Sequence, residues 1–183
     1  MSGLPPGTVL VTGNPGKLAE AQRICGPDLE SVALELPEIQ SLDLEEVLRA
    51  KAETAWRALQ CPLIVEETGF EIDALNGFPG PLVKWLLEAV GADGVAGLGH
   101  ALGNPAATAR CALLYRDAER SVLGEGTVEG RLVLPPRGGA GFGWDPVFVA
   151  DGESRTFAEL SGDEKDALGH RGRAWRALVE SLS

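Results

Sequence analysis

The chain has 183 residues and carries 16 Lys and Arg against 27 Asp and Glu, a formal net charge of −11. That length predicts a single domain with a sizeable core. So acidic a balance repels polyanions, which argues against a nucleic-acid partner but leaves room for a small anion in a local basic pocket.

Cys25, Cys61 and Cys111 are far apart and make no CxxC pair, so neither a zinc site nor a disulfide framework is expected, and a reducing, cytoplasmic setting fits best. The opening residues Met1–Gly7 have no basic or apolar region of a signal peptide. No apolar stretch approaches the roughly 20 residues of a membrane span, so no membrane partner is expected.

In chain order, Thr8–Thr12 is a short β-branched run that reads as a buried strand. Asn14-Pro15 opens a helix with proline at its first position. Ser31–Glu35 is a weak second strand. Asp43, with Glu46 three residues on, caps a helix that runs to about Leu59. Leu63–Val65 is a third strand, ending in Glu66-Glu67-Thr68-Gly69. A loop at Gly77–Pro81 leads to helices at about Leu82–Val90 and Asp93–Leu102. Thr108–Tyr115, Ser121–Glu125 and Thr127–Leu134 read as consecutive antiparallel strands. A Gly-rich loop, Pro135–Gly143, follows. Ser161 and Glu164 form a capping box that opens a helical region to Leu182, which Gly169 and Gly172 are placed to break. The fold class is α/β, with a mixed sheet.

Strand, glycine-containing turn and helix is an arrangement that binds phosphate. Thr12-Gly13-Asn14-Pro15-Gly16-Lys17 supplies it, with Lys17 adding a full charge to the partial positive charge of the helix end. The P-loop pattern GxxxxGK[ST] fails, because Val11 stands five before Gly16 and Leu18 replaces the Ser or Thr that would hold magnesium. The dinucleotide pattern GxGxxG fails as well. A plain βα connection is the competing reading of this turn. If phosphates bind here, the metal has to come from carboxylates elsewhere.

Glu66 and Glu67 stand at the end of an apolar run, where α/β sheets bind ligands. As neighbours on a strand they point to opposite faces, so one of them is expected in the site. The chain has only four lysines, Lys17, Lys51, Lys84 and Lys165, against twelve arginines. Lys51 falls within the apolar stripe of its helix, where it must snorkel or meet an anion. Lys84 reads as a solvated position. Arg171 projects with Trp175, Leu178 and Leu182 on an apolar face, and with His170 could donate to a base or phosphate; stacking on Trp175 is the competing structural reading. Phe142-Gly143-Trp144-Asp145 places an aromatic that could stack on a base beside a carboxylate that could accept from it, although a core aromatic and a turn Asp read equally well.

Taken together and in this order, Thr12-Gly-Asn-x-x-Lys17, Leu36-Pro-Glu-Ile-Gln40, Glu66-Glu-Thr-Gly69, Ala74-Leu-Asn-Gly-Phe-Pro-Gly80, Phe142-Gly-Trp-Asp145 and His170-Arg171 resemble the inosine/xanthosine triphosphate pyrophosphatase family, from Thr12 to about Ala174. The resemblance implies a mixed twisted sheet flanked by helices, with an active-site cleft between two lobes. It implies Mg²⁺-dependent hydrolysis of nonstandard purine nucleoside triphosphates (ITP, dITP, XTP) to the monophosphate and pyrophosphate, and a homodimer. It makes Glu38 and Glu67 the metal ligands, Glu67 also the general base. Substrate contacts fall to Thr12, Gly13, Asn14, Pro15, Gly16, Lys17, Lys51, Thr68, Lys84, Phe142, Gly143, Trp144, Asp145, Lys165, His170 and Arg171. Two positions depart from the family pattern: Glu67 replaces an Asp, and Gly169 a Ser. A pyrophosphatase for other modified nucleotides and a nucleotide-binding module without turnover are the alternatives.

Overall fold

The structure is a computed structural model describing residues 3–183. Met1 and Ser2, the start of the segment searched above for a targeting signal, lie outside the described residues. Seven strands form one sheet: β1 (Val9–Val11), β2 (Glu30–Val32), β3 (Leu63–Ile72), β4 (Pro79–Gly80), β5 (Ala106–Arg116), β6 (Ser121–Leu132) and β7 (Phe148–Ala150). Their order is β2-β1-β3-β5-β6-β7, with β4 paired to β3 outside that path. β2 and β3 flank β1 in parallel, and every other pairing is antiparallel. This is the mixed sheet expected. Among the described residues no helix is long and apolar enough to cross a membrane.

Among the described residues five α-helices cover the sheet: α1 (Pro15–Cys25), α2 (Leu44–Leu59), α3 (Val83–Ala101), α4 (Gly162–Leu168) and α5 (His170–Leu182). Alternation along β3 separates two cores. Ile64 joins Leu10, Ala21, Leu113 and Trp175 beneath α1 and α5. Leu63 and Val65 join Leu48, Ala52 and Leu114 beneath α2. A third core, built on Phe70, Val95, Phe148 and Phe157, packs α3 against the far half of the sheet.

Several boundaries differ from expectation for identifiable reasons. β2 is Glu30–Val32 rather than Ser31–Glu35, because its ladder with β1 ends at Val32. β3 does not stop at Val65. Its parallel ladder with β1 covers only Leu63 and Ile64, but β5 pairs with it all the way to Ile72. Glu66 and Glu67 are therefore mid-strand, at the point where β1 has ended. The two helices expected after Pro81 are both present within α3, meeting at a kink at Gly91, whose φ of 69° and ψ of 176° are non-helical. Gly126 does not divide two strands. It lies inside β6, where a Cβ would collide with the His170 carbonyl, so the glycine lets α5 lie directly on the strand. The last helical region breaks at Gly169 only. Gly172 stays helical, pressed against the Asp166 carbonyl of α4.

Candidate active site

The turn between β1 and α1 is built by Asn14. Its side chain accepts from the Gly16 and Lys17 N–H groups at 2.9 and 3.2 Å, and the Thr12 hydroxyl accepts from Asn14 N–H at 3.1 Å. Pro15 has no N–H, and Leu18 N–H donates to the Asn14 carbonyl at 3.2 Å. The helix end expected to offer unpaired N–H groups is therefore already capped from within. The net cation there is Lys17, whose Nζ lies 3.1 Å from Glu66 Oε1.

Glu66 and Glu67 leave β3 on opposite faces, yet both reach the same cavity. Glu66 is buried and pairs with Arg171, which donates from Nε at 3.1 and 3.2 Å and from Nη2 at 3.1 Å. Arg171 Nη1 donates to Glu20, and Lys165 Nζ donates to Glu20 at 3.3 Å and to Asp145 at 2.7 Å. One chain of ion pairs thus runs Lys17–Glu66–Arg171–Glu20–Lys165–Asp145. Burial alone would raise the Glu66 carboxyl, but Arg171 and Lys17 more than offset it and hold the group far below the carboxylate range. Burial likewise disfavours the Arg171 charge, and Glu66 and Glu20 reverse that effect.

On the α2 face, Lys51 donates to Glu67 and lies 2.8 Å from Glu38 Oε1. The inward-facing lysine has met anions, as the helical period required. Its hydrogen bond to Glu38 holds that carboxyl below its ordinary value. Glu38 comes from the irregular segment between β2 and α2, and half of its side chain is exposed.

Of the two aromatics in the 142–145 segment, Trp144 is a core residue. Its ring packs on Phe70 at 4.8 Å and lies 6.0 Å from the His170 ring. Phe142 is more than a third exposed, and its ring lies over Lys165 Nζ at 4.9 Å and the Arg171 guanidinium at 5.5 Å. His170 is buried parallel to Phe157, with both ring nitrogens unpartnered, as is the Trp144 indole nitrogen. Burial, then the Arg171 and Lys165 charges, push the His170 pKa well below 6.5, so the ring is neutral. The alternative in which Arg171 merely stacks on Trp175 fails, because its guanidinium is committed to Glu66 and Glu20.

These groups surround one cavity of about 660 Å³, within the range of small-ligand sites. Thr12, Gly13, Asn14 and Lys17 line one end, with Glu38, Lys51, Glu66, Glu67 and Thr68 beside them. Lys84, Phe142, Gly143, Trp144 and Arg171 complete the lining. Lys84 is exposed at this wall, 5.0 Å from the Trp85 ring, so it is both solvated and at the site. Asp145, Lys165 and His170 are not on the cavity surface but lie directly behind Phe142 and Arg171. Pro15 and Gly16 support the turn from outside the lining. Sequence reasoning missed Glu20, the buried carboxylate that joins Arg171 and Lys165. It also missed the apolar walls Leu34, Leu36, Trp85 and Leu87. A signal for Glu20 existed only in the surplus of inward cations, which demanded anions.

Residues 8–181 match the model of the Ham1 family. The chain is 43% identical over 173 residues to inosine triphosphate pyrophosphatase 2 of Trypanosoma cruzi, covering 92% of this chain and 88% of that protein. It is 39% identical to a dITP/XTP pyrophosphatase of Methanopyrus kandleri, covering 94% of each. Its fold superposes on a HAM1 protein from Coxiella burnetii with a TM-score of 0.83 at 28% identity, over 96% of this chain and 97% of the other.

Proposed function

The chain belongs to the Ham1 family, and we propose that it hydrolyses nonstandard purine nucleoside triphosphates (ITP, dITP and XTP) to the monophosphate and pyrophosphate. One observation carries the reading. A single cavity brings cations and carboxylates beside a phosphate-type turn together with an exposed aromatic, Phe142, and a buried donor, Arg171.

Mg²⁺ is the proposed cofactor. Glu38 and Glu67 already converge on one cation, the Lys51 ammonium. Two carboxylates are what Mg²⁺ takes from a protein when phosphate oxygens and water complete its shell. Among the described residues no group of three or more His, Cys, Asp or Glu is set to hold a metal, so substrate and water have to supply the remaining ligands. When bound, the ion would screen the phosphate charge and acidify water.

Glu67 is the proposed base. It takes a proton from the attacking water as the water oxygen bonds to the α-phosphorus. The bond from that phosphorus to the bridging oxygen breaks, and the electron pair leaves with pyrophosphate. Lys17 and Lys51 offset the charge that develops on the leaving group, with Thr12, Gly13, Asn14, Thr68 and Lys84 around it; such charge stabilisation accounts for most phosphoryl-transfer catalysis.

At the other end Phe142 stacks on the purine. Arg171 uses three of its five N–H groups on Glu66 and Glu20, which leaves two to donate to a 6-oxo group. Neutral His170 lies behind Arg171, off the cavity surface, and adds no charge. An adenine amino group facing these donors would leave them unpaired, a mismatch able to reject ATP by about 10⁴. The whole chain is proposed to act as one domain, in a cytoplasmic homodimer, for which sedimentation at twice the chain mass is the check.

The deciding experiment incubates ITP, dITP, XTP, GTP and ATP with Mg²⁺ and identifies the products. Monophosphate and pyrophosphate from the first three are expected. Orthophosphate plus a diphosphate would refute attack at the α-phosphorus, and equal rates on ATP would refute the 6-oxo reading. Tight binding with no turnover would make the protein a binding module.

A further inference from the structure

Of the cations at the cavity, Lys51 is the one whose partners are both proposed metal ligands. Its Nζ bonds Glu67 and lies 2.8 Å from Glu38. It sits on a helix, Glu67 on a strand and Glu38 on the irregular segment between β2 and α2, so the ammonium ties three parts of the chain together. The Lys51 and Glu67 side chains are each only 12% exposed. A divalent ion brought to the same two carboxylates would meet a positive charge at contact distance in a largely dry site, where repulsion is weakly screened.

We propose that Lys51 stands in for the metal ion in the free protein, so that metal binds there tightly only when a triphosphate draws the ammonium away. The inference rests on the reading of Glu38 and Glu67 as the metal ligands. Lysine suits such a switch: its charge sits on a flexible stem with rotatable donors, free to turn from carboxylate to phosphate. Linkage makes the effect reciprocal. If the triphosphate raises the affinity for metal, metal raises the affinity for the triphosphate by the same factor. The protein would then pass over free divalent cations and load metal together with its substrate. Holding both ligands on one ammonium also keeps them at hand in the unloaded state, where their mutual repulsion would otherwise spread them.

The test measures Mn²⁺ binding by electron paramagnetic resonance in the absence of nucleotide. Wild-type protein should bind weakly. Lys51→Met should bind at least about tenfold more tightly, since it keeps both carboxylates and removes the competing charge. Adding Glu38→Gln to that variant should erase the gain. Affinity in Lys51→Met equal to or below that of wild type overturns the proposal, as does a gain that survives Glu38→Gln. A second measurement needs no variant. Amine-reactive labelling of wild-type protein, read by peptide mass spectrometry, should be slow at Lys51 and rise at least about threefold when Mn²⁺ saturates the protein. Unchanged labelling overturns the proposal even if Lys51→Met fails to fold. Wild-type hydrolysis of ITP is assayed alongside. Turnover without the Lys51→Met gain refutes only this inference, whereas absence of turnover on every triphosphate refutes the functional reading while the Mn²⁺ result stands by itself.

Discussion

The two ends of the cavity solve opposite electrostatic problems with the same residue types. At the proposed base end, Arg171 and Lys165, joined by Lys17 reaching across from the phosphate turn, meet Glu66, Glu20 and Asp145, three cations against three carboxylates, and all but Lys17 are buried. At the proposed metal end, Lys51 bridges Glu38 and Glu67, one cation against two carboxylates, with Glu38 half exposed. A balanced, dry network is complete without a ligand and holds its donors in fixed positions. An unbalanced, wetter triad retains one negative charge, which a divalent ion would convert to one positive charge facing the phosphates. Under the proposed function, the difference separates a rigid reader of neutral chemistry from an adjustable handler of charge.

The largest effect should come from removing the proposed base. Glu67→Gln is expected to lower turnover of ITP by about 10² to 10⁴. Its folding stability should stay near wild type, because Lys51 and Glu38 remain as a balanced pair. A steady-state assay paired with urea unfolding checks both halves, and near-normal activity would remove Glu67 from the chemistry. The base end should answer in the other currency. Arg171→Met leaves buried Glu66 with Lys17 alone and buried Glu20 with Lys165 alone, and loss of one partner from such a network costs about 3–5 kcal/mol. The same truncation at Lys51 should cost no more than about 1–2 kcal/mol, because Glu38 can turn to water. Equal urea midpoints for the two variants would erase the distinction between the ends.

The unequal ends also explain which residues could be read from the sequence. Lys51 and Arg171 were legible because each puts a charge on the apolar face of a helix, a violation that periodicity exposes. Glu20 was not. It lies well off the Leu18, Ala21 and Cys25 stripe of α1, and it is buried because α4 and α5 cover a second side of that helix. Covering by elements about 140 residues away leaves no local trace. Gly126 reads locally as a turn, and only the crossing of α5 shows that it is a close approach. The sheet type followed from the strand pattern, whereas the length of β3 depended on a partner, β5, that continues after β1 has ended. Local sequence likewise had no means of ranking Phe142 over Trp144, since Phe70 decides which of them is core.

That ranking is itself testable and should give a smaller effect. Phe142→Ala removes the exposed ring but leaves the ion-pair chain beneath it. Loss of one base-stacking aromatic is worth about 1–3 kcal/mol. It should appear as a raised KM for ITP, with little change in urea midpoint. Trp144→Ala should reverse the pattern, since it empties a core position beside Phe70. A Phe142→Ala variant with wild-type KM would return the stacking role to Trp144.

The smallest effect concerns the neutrality of the base end. His170 is held neutral, its pKa well below 6.5 first through burial and then through the Arg171 and Lys165 charges. Above about pH 6.5 the ring is neutral in both folded and unfolded chains and contributes no pH dependence. As the pH falls below that value, the unfolded chain takes up a proton that the folded chain refuses, so stability declines, by at most about 1.4 kcal/mol per pH unit for this one group. Glu66, whose folded pKa is depressed, adds its own loss only at lower pH, where the unfolded carboxyl begins to protonate near pH 4.3. Urea unfolding between pH 7.5 and about 5 isolates the histidine. Wild-type stability should fall more steeply over that window than that of His170→Gln, which keeps a polar side chain but does not titrate. Parallel pH profiles would mean that a fourth positive charge is tolerated beside the three cations of the network, and the balance at the base end would then not be what holds its donors in place.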